Sequence, residues 1–444
     1  YIVSLALFTL GSCLSGLSWN VNSLIAARII QAIGGGIMQP VGMAFLYRVT
    51  PRAKMGVVMG IYGIAAMAAP AIGPTMGGYM VEYINWRLIF YINVPIGIIN
   101  LFLAAALLKE TDLIPGKYFD WVGLVTSVVG LSCLLMALSQ ANKYGWTSVY
   151  IVSLIVVAVI TLSILIHHEL NHPEPLLDLR LFKYKIYAVT TVISAVINVG
   201  MFSAMFLVPI LLQNVIGMSA LETGLLMFPA AVVSAAMMPI SGRMFDKYGA
   251  RGVAIVGLGI FTLGTFMMCK FNDVTPFSVM IIWLMVRGAG MGLSMMPVTT
   301  AGMNTLPRLA AGRASALGNV VRQVASSFGI AVFTTIMQHR QVFHFSNLAN
   351  SINLTGNDAL AIQSTLKNMA INNGWSASTT QYMNLALIYK QIVKMSTISA
   401  ITDCFIIAAG VTVVAIVLVF FFRDINTTEV ISHETNHPVA SAKA

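Results

Sequence analysis

GVVMGIYGIAAMAAPAIGPTMGGYMVEYINWRLIFYINVPIG, residues 56–97, is the stretch whose reading decides the fold. Gly56, Gly60, Gly63, Pro70, Gly73 and Gly77 recur every three or four residues, apart from one double step over Met67. That spacing predicts one glycine-lined helix face. A face without side chains lets a neighbouring helix approach backbone to backbone. Pro70 and Pro74 each remove an internal hydrogen bond and permit a bend. Single glycines are common in membrane helices, but the pattern P-x-x-G-P-x-x-G-G from Pro70 to Gly78 is specific.

Outward from this stretch the chain stays apolar. Of its 444 residues, 58% are hydrophobic and only 9% charged, where a soluble protein is about a quarter charged. Most of the surface must therefore meet lipid. A spanning helix needs about 20 apolar residues, which leaves room for roughly twelve. A β-barrel is excluded, because the apolar runs are long and continuous. Cys13, Cys133, Cys269 and Cys404 all lie in apolar runs, so no disulfide is expected. No Cys/His cluster with metal spacing is read, and no metal or cofactor is expected. There is no G-x-x-x-x-G-K-[ST] phosphate loop and no buried catalytic constellation, so the chain reads as neither an ATP-driven pump nor an enzyme.

Twelve spans are expected at 1–18, 22–47, 55–81, 87–108, 119–140, 147–167, 186–214, 221–241, 252–270, 276–304, 314–337 and 396–422. The net charge of +10 points to no nucleic acid, because it concentrates in alternate loops. Arg48, Arg52 and Lys54, Lys109 and Lys117, Arg180, Lys183 and Lys185, Arg243, Lys247 and Arg251, and Arg308 and Arg313 fall in one set. Only Arg87, Lys143 and Lys270 fall in the other short loops. The positive-inside rule makes the first set cytoplasmic, with both ends of the chain on that side of the cell membrane. Residues 339–395 are expected to form a long extracellular loop, with Ala359 to Lys394 lying along the membrane surface. The domains expected are 1–110, the remainder of an N-terminal bundle of four spans; 111–185, two inserted spans and a connector; 186–426, a C-terminal bundle of six spans; and 427–444, a cytoplasmic tail. A faint repeat relates Arg28, Gly34–Gly36 and Pro40 to Arg287, Gly288, Gly290, Gly292 and Pro297.

The Pro70–Gly78 pattern resembles the antiporter motif of major facilitator drug exporters. Trp86-Arg87 and the run Phe90 to Gly97 are similar to the signature of the fourteen-span drug–proton antiporter family, the EmrB/QacA group. The segment Arg28 to Gly36 and the connector PLLDLRLF, Pro175 to Phe182, also resemble that family, within which the lincomycin-resistance type looks nearest. The resemblance implies an all-α major facilitator fold of two helical bundles plus two inserted spans. It makes the first span here the family's third, with the family's first two absent from this chain. The start of the natural protein is therefore expected to be missing. The function it implies is proton-coupled export of amphipathic, drug-like small molecules, by a chain expected to be monomeric. Two alternatives stay open: an exporter of one metabolite or lipid precursor, and a membrane protein that no longer transports.

Residues 242–251, GRMFDKYGAR, match the family's gating pattern G-x-x-x-D-x-x-G-x-R, which singles out Arg243, Asp246 and Arg251. Arg28, Arg287 and Arg322 lie within spans, where a charge costs about 3 kcal/mol on insertion scales. The resemblance gives Arg28, beside Gln31, a part in proton transfer. Arg322 with Asn319 is expected at the central cavity, whereas Arg287 is expected near enough to the surface to snorkel. Of fifteen acidic residues only Asp403 is placed deep in a span, as a lone carboxylate able to carry the proton. Asn198, Met201, Phe202 and Met205 are expected to line the substrate path, since Met and aromatic surfaces suit promiscuous binding.

Overall fold

Capping chemistry sets where several helices begin. Asn20 and Ser23 form a reciprocal capping box at the start of the helix Val21–Val49, and Ser219 and Glu222 do the same for the helix Ala220–Tyr248. Asp120 accepts the Gly123 N–H at the head of the helix Trp121–Tyr144, and Ser148 accepts that of Ile151 at the head of the helix Val149–Asn171. Such caps satisfy amide groups that the helix itself leaves unpaired. The computed structural model describes residues 1–421 other than 52–53, 109–119, 174, 308–309 and 352–376. Among the described residues every regular element is helical.

The elements are α1 (Ile2–Leu17), α2 (Val21–Val49), α3 (Met55–Tyr79), α4 (Leu88–Tyr91), α5 (Asn93–Leu107), α6 (Trp121–Tyr144), α7 (Val149–Asn171), α8 (Lys185–Pro209), α9 (Ala220–Tyr248), α10 (Ala250–Met267), α11 (Phe277–Asn304), α12 (Ala311–Ser351) and α13 (Ala377–Phe420). Each expected span coincides with a helix, the fourth being divided between α4 and α5. Among the described residues ten helices, with α4 and α5 taken as one, are long and apolar enough to cross a membrane by length and composition, and α1 is a shorter apolar helix. Large apolar side chains stand exposed along them. On α2 they recur every fourth residue, at Ile25, Ile29, Ile33, Ile37, Val41 and Phe45. A soluble protein does not tolerate such stripes. This is a multi-pass membrane protein.

Wider π turns follow α3 and α8, at Met80–Ile84 and Ile210–Ile216. The second ends at Gly217 in the left-handed region (φ 88°), which redirects the chain into α9 within a few residues.

The expected loop 339–395 is corrected where it is described. Residues 339–351 continue α12 and 377–395 open α13, and the two extensions pack together. Gln341 donates to Thr397 at 2.7 Å and the Phe345 and Tyr389 rings meet edge to face. Their polar residues, read as loop signal, bond across this helix pair. Residues 352–376 and the tail 427–444 lie outside the described residues.

Within residues 1–110 the helices differ in what they pack against. Helices α1, α2, α4 and α5 pack together, while α3 packs chiefly along α9. A Cβ on Gly60 would come within 2.9 Å of the Pro239 backbone, one on Gly78 within 2.9 Å of Ala220, and one on Gly224 within 2.7 Å of Thr75. Gly73 and Gly77, expected on the packing face, meet nothing within 4 Å. The reason is helical phase. Gly60 and Gly78 are five full turns apart and share an azimuth, whereas steps of three and four drift round the helix. The Pro70 side chain lies outside the described ones.

The inserted pair α6–α7 packs on itself and, through α6, on α12, where Thr335 donates to Asn142 at 2.6 Å. The connector packs against the ends of α7 and α8. An apolar knot there joins Met43 and Tyr47 of α2, Met55 and Met59 of α3, Leu165 of α7, Leu177 and Leu181 of the connector, and Ala314 and Leu317 of α12.

Gly224→Ala should destabilise the protein by about 1–3 kcal/mol through overpacking, read as a lower melting temperature in detergent. Gly73→Ala should leave it unchanged or slightly raised, since a helix-interior glycine is removed without a clash. Equal losses from both would contradict a single packing azimuth on α3.

Candidate functional site: a central cavity with a buried arginine

Helix α11 brings Arg287 between α8, α9 and α10. Glycines on both sides allow it. A Cβ on Gly264 of α10 would lie 2.7 Å from the Arg287 backbone, and one on Gly257 2.7 Å from that of Ser294. Gly288 and Gly292 lie against the carbonyls of Ala230 and Ser234 of α9. Arg287 is therefore buried, not snorkelling as its place in the sequence suggests; it is 9% exposed. Its Nη2 donates to the carbonyl of Gly200 at 2.8 Å and that of Met201 at 3.2 Å, and its Nε donates to Thr265 at 3.2 Å. The guanidinium also lies over the Phe261 ring, 4.6 Å from its centroid. Among the described residues no carboxylate pairs with it.

Arg287 walls a cavity of about 320 Å³. Pro74 of α3, Met201 and Met205 of α8, Gln213 of the π turn that follows it, Thr223, Met227 and Ser234 of α9, and Leu284 and Met291 of α11 complete most of the wall. The volume is at the lower end of small-molecule sites. The wall is largely apolar, with four methionines, three neutral polar side chains and one cation.

The candidate residues divide between this cavity and other places. Met201, Met205 and Pro74 line it. Asn198 is buried instead and donates to the Ser194 carbonyl at 2.8 Å, and Phe202 is not among the lining residues. Arg322 faces a separate, narrower space of about 20 Å³, roughly one water, with Tyr187, Thr190 and Met43. Asn319 stands on the same helix, partly buried, outside that lining. Arg28 and Gln31 do come together. Arg28 donates to Gln31 at 2.6 Å, and Gln31 donates to Ser12 of α1 at 2.6 Å. In the gating pattern, Gly249 (φ 81°) makes the sharp turn between α9 and α10. Asp246 and Arg243 are exposed on the last turns of α9, and Arg251 lies over the Phe420 ring.

Asp403 is not the lone carboxylate expected. It accepts from Arg340 Nε at 2.6 Å and meets His344 Nε2 at 2.7 Å, both on the extension of α12 that the sequence reads as loop.

The whole arrangement has known counterparts. Residues 1–330 match the family model of the Major Facilitator Superfamily. This chain belongs to the major facilitator superfamily. Among its relatives, an uncharacterized MFS-type transporter of Bacillus subtilis, YhcA, is 37% identical over 96% of this chain and 80% of its own length. The lincomycin resistance protein LmrB of Listeria innocua is 30% identical, covering 74% of this chain and 70% of its own. The multidrug export protein EmrB of Escherichia coli is 29% identical, over 95% and 82%. Two solved structures share the fold: the human organic anion transporter MFSD10, with a TM-score of 0.59, 10% identity and coverage of 94% and 76%, and the proton:xylose symporter XylE, with 0.55, 14%, 95% and 79%. Family and fold are those of membrane transporters, not enzymes.

For this transporter, the Asp403 contacts make a specific expectation about the α12–α13 clamp. Asp403→Asn and Arg340→Gln should each lower the melting temperature, and the double variant should lose less than the sum. The pair is partly exposed, 23% and 40%, so a coupling of about 0.5–1 kcal/mol is expected. Strict additivity would show that the contact contributes nothing to the clamp.

Proposed function

We propose that this transporter exports amphipathic, drug-like compounds across the cytoplasmic membrane by alternating access, driven by proton entry, with both ends of the chain facing the cytoplasm. One observation carries the reading of the substrate: a cavity whose wall is methionine-rich and apolar but holds a buried guanidinium. Methionines adapt to many apolar shapes. Three neutral polar groups can orient a ligand without selecting one. The names of LmrB and EmrB, which speak of lincomycin resistance and multidrug export, support the same class. The sidedness rests on the positive-inside distribution of Lys and Arg.

The same wall refines the class. Two unlike charges, or two like ones, interact strongly where water is excluded. A fixed cation with no carboxylate in the lining favours neutral or anionic amphipaths over cationic dyes.

Coupling to protons is supported by the Pro70–Gly78 pattern and by the Arg28–Gln31–Ser12 chain, which offers a polar path between α1 and α2. Asp403, tied to Arg340 and His344, acts in this reading as a clamp and not as the carrier.

The test is efflux from cells lacking their own drug pumps, comparing a neutral and a cationic fluorescent amphipath of similar size. The neutral compound should be exported in preference, and a protonophore should abolish export. Arg287→Gln should narrow the preference on the order of tenfold. Export that survives collapse of the proton gradient would remove the coupling from this proposal. Failure to move either compound would leave export of a single metabolite as the better reading.

A further inference from the structure

The end of the inserted hairpin gathers four side chains that transport does not use. His168 and His172 stand one turn apart at the end of α7, within the run His168-Glu169-Leu170-Asn171-His172. Their ring centroids are 4.9 Å apart. Asp120 caps the neighbouring α6, and its Oδ1 meets His168 Nε2 at 2.8 Å. One donor atom from each of Asp120, His168 and His172 falls within 4.8 Å of the others.

A second observation points inward to the same place. Asp120 is 7% exposed and Glu169 not at all. One oxygen of each is accounted for, Asp120 Oδ1 by the Gly123 N–H and Glu169 Oε2 by that of Leu177 at 3.1 Å. The other two, Asp120 Oδ2 and Glu169 Oε1, are buried and accept from no described group. They converge: a Cβ on Gly123 would collide with Asp120 Oδ2 and lie 2.9 Å from Glu169 Oε1. Two carboxylate oxygens buried side by side repel, and leaving them bare costs free energy. A divalent cation among them resolves both problems.

We propose that Asp120, His168 and His172 bind a divalent transition-metal ion of the zinc class, with the buried Glu169 carboxylate adding negative charge beside it. Two imidazoles and a carboxylate suit Zn²⁺ and disfavour the all-oxygen ions Ca²⁺ and Mg²⁺. Tetrahedral bonds of about 2.0–2.2 Å put donor atoms about 3.4 Å apart. The three donor atoms lie within 4.8 Å of one another, so small side-chain movements bring them to that spacing. The His-Glu-x-x-His run is shared with metalloproteases, but that chemistry does not fit. Their glutamate is a free general base, whereas Glu169 is sealed from solvent and holds the Leu177 N–H. The ion is structural. It ties α6 and α7 to the connector, whose Leu177 enters the apolar knot and whose Asp178 contacts Arg180 and Arg313.

The experiment is titration of the chelator-stripped, detergent-purified chain with Zn²⁺ and, separately, Co²⁺. One equivalent of Zn²⁺ should bind, raise the melting temperature, and give way to Co²⁺ with a tetrahedral visible spectrum. His172→Gln and Asp120→Asn should each weaken binding at least tenfold and abolish the melting shift. Asparagine still caps a helix, so Asp120→Asn keeps the fold. Glu169→Gln, which removes only the neighbouring charge, should weaken binding less than Asp120→Asn does. His167→Gln, one residue away and exposed, should change nothing. Absence of stoichiometric Zn²⁺ binding would overturn the proposal. So would an equal loss in His167→Gln and His172→Gln, which would mark adventitious binding to surface histidine.

Discussion

The close approach of α3 to α9 is the constraint on which the rest of the molecule depends. Lipid gives two apolar helices no hydrophobic reason to associate, so contact must come from packing and from polar groups. Gly60 and Gly78 on α3 and Gly224 on α9 remove the side chains that would hold the backbones apart. The same device recurs where Gly288 and Gly292 of α11 meet α9 and where Gly257 and Gly264 of α10 meet α11. The cavity sits beside these seams, with Pro74, Thr223 and Ala230 in its wall. Its position is thus set by backbone spacing, while the side chains of its wall set its shape.

Charge in the interior follows a second rule. Arg287 lies on carbonyl oxygens and a ring, and Arg28 on the Gln31 amide and near the Phe90 ring. Neither is neutralised by a described carboxylate. Partial charges stabilise these cations without cancelling them, so the field of Arg287 remains available to a ligand in the cavity. The carboxylates that do form described ion pairs lie toward the helix ends or between spans: Asp403 with Arg340, Asp273 with Lys394, and Asp178 with Arg180 and Arg313. In Asp273 the Lys394 ammonium holds the carboxyl below its usual range, as expected for a pair at a partly exposed surface.

What the sequence made legible was set by how local the signal is. Apolar length revealed the helices, because each span carries its own evidence. The motif glycines on α3 were visible, but which of them pack was not, since azimuth over several turns decides it. The polar stretch after residue 338 read as loop because polarity was taken for exposure to water. There it is spent on contacts between two long helices, such as Gln341 to Thr397. The sequence understates Arg287, because its burial depends on glycines of α10 and of its own helix that only the packing brings into play. The Asp120–His168–His172 cluster joins residues 48 positions apart. Only the His168-Glu169-Leu170-Asn171-His172 run could have drawn attention to it, and only the fold supplies Asp120.

Alternating access asks that some contacts between the two halves be easy to break and others hard. The α3–α9 seam is hard: interlocked backbones allow pivoting but not gradual separation. The knot at the connector end is different. It joins Met43 and Tyr47 of α2 to Ala314 and Leu317 of α12 through an apolar cluster, three of whose members are methionines of the first half. Apolar side-chain contact is non-directional and can re-form in more than one register. Opening at the knot with α3 and α9 as the pivot would leave the backbone contacts of the seam in place. It would also move Pro74 relative to Arg287 across the cavity. Under the proposed function, a motion with that pivot would change the space around a bound ligand at the same time as it opened one end, which is the coupling that export requires.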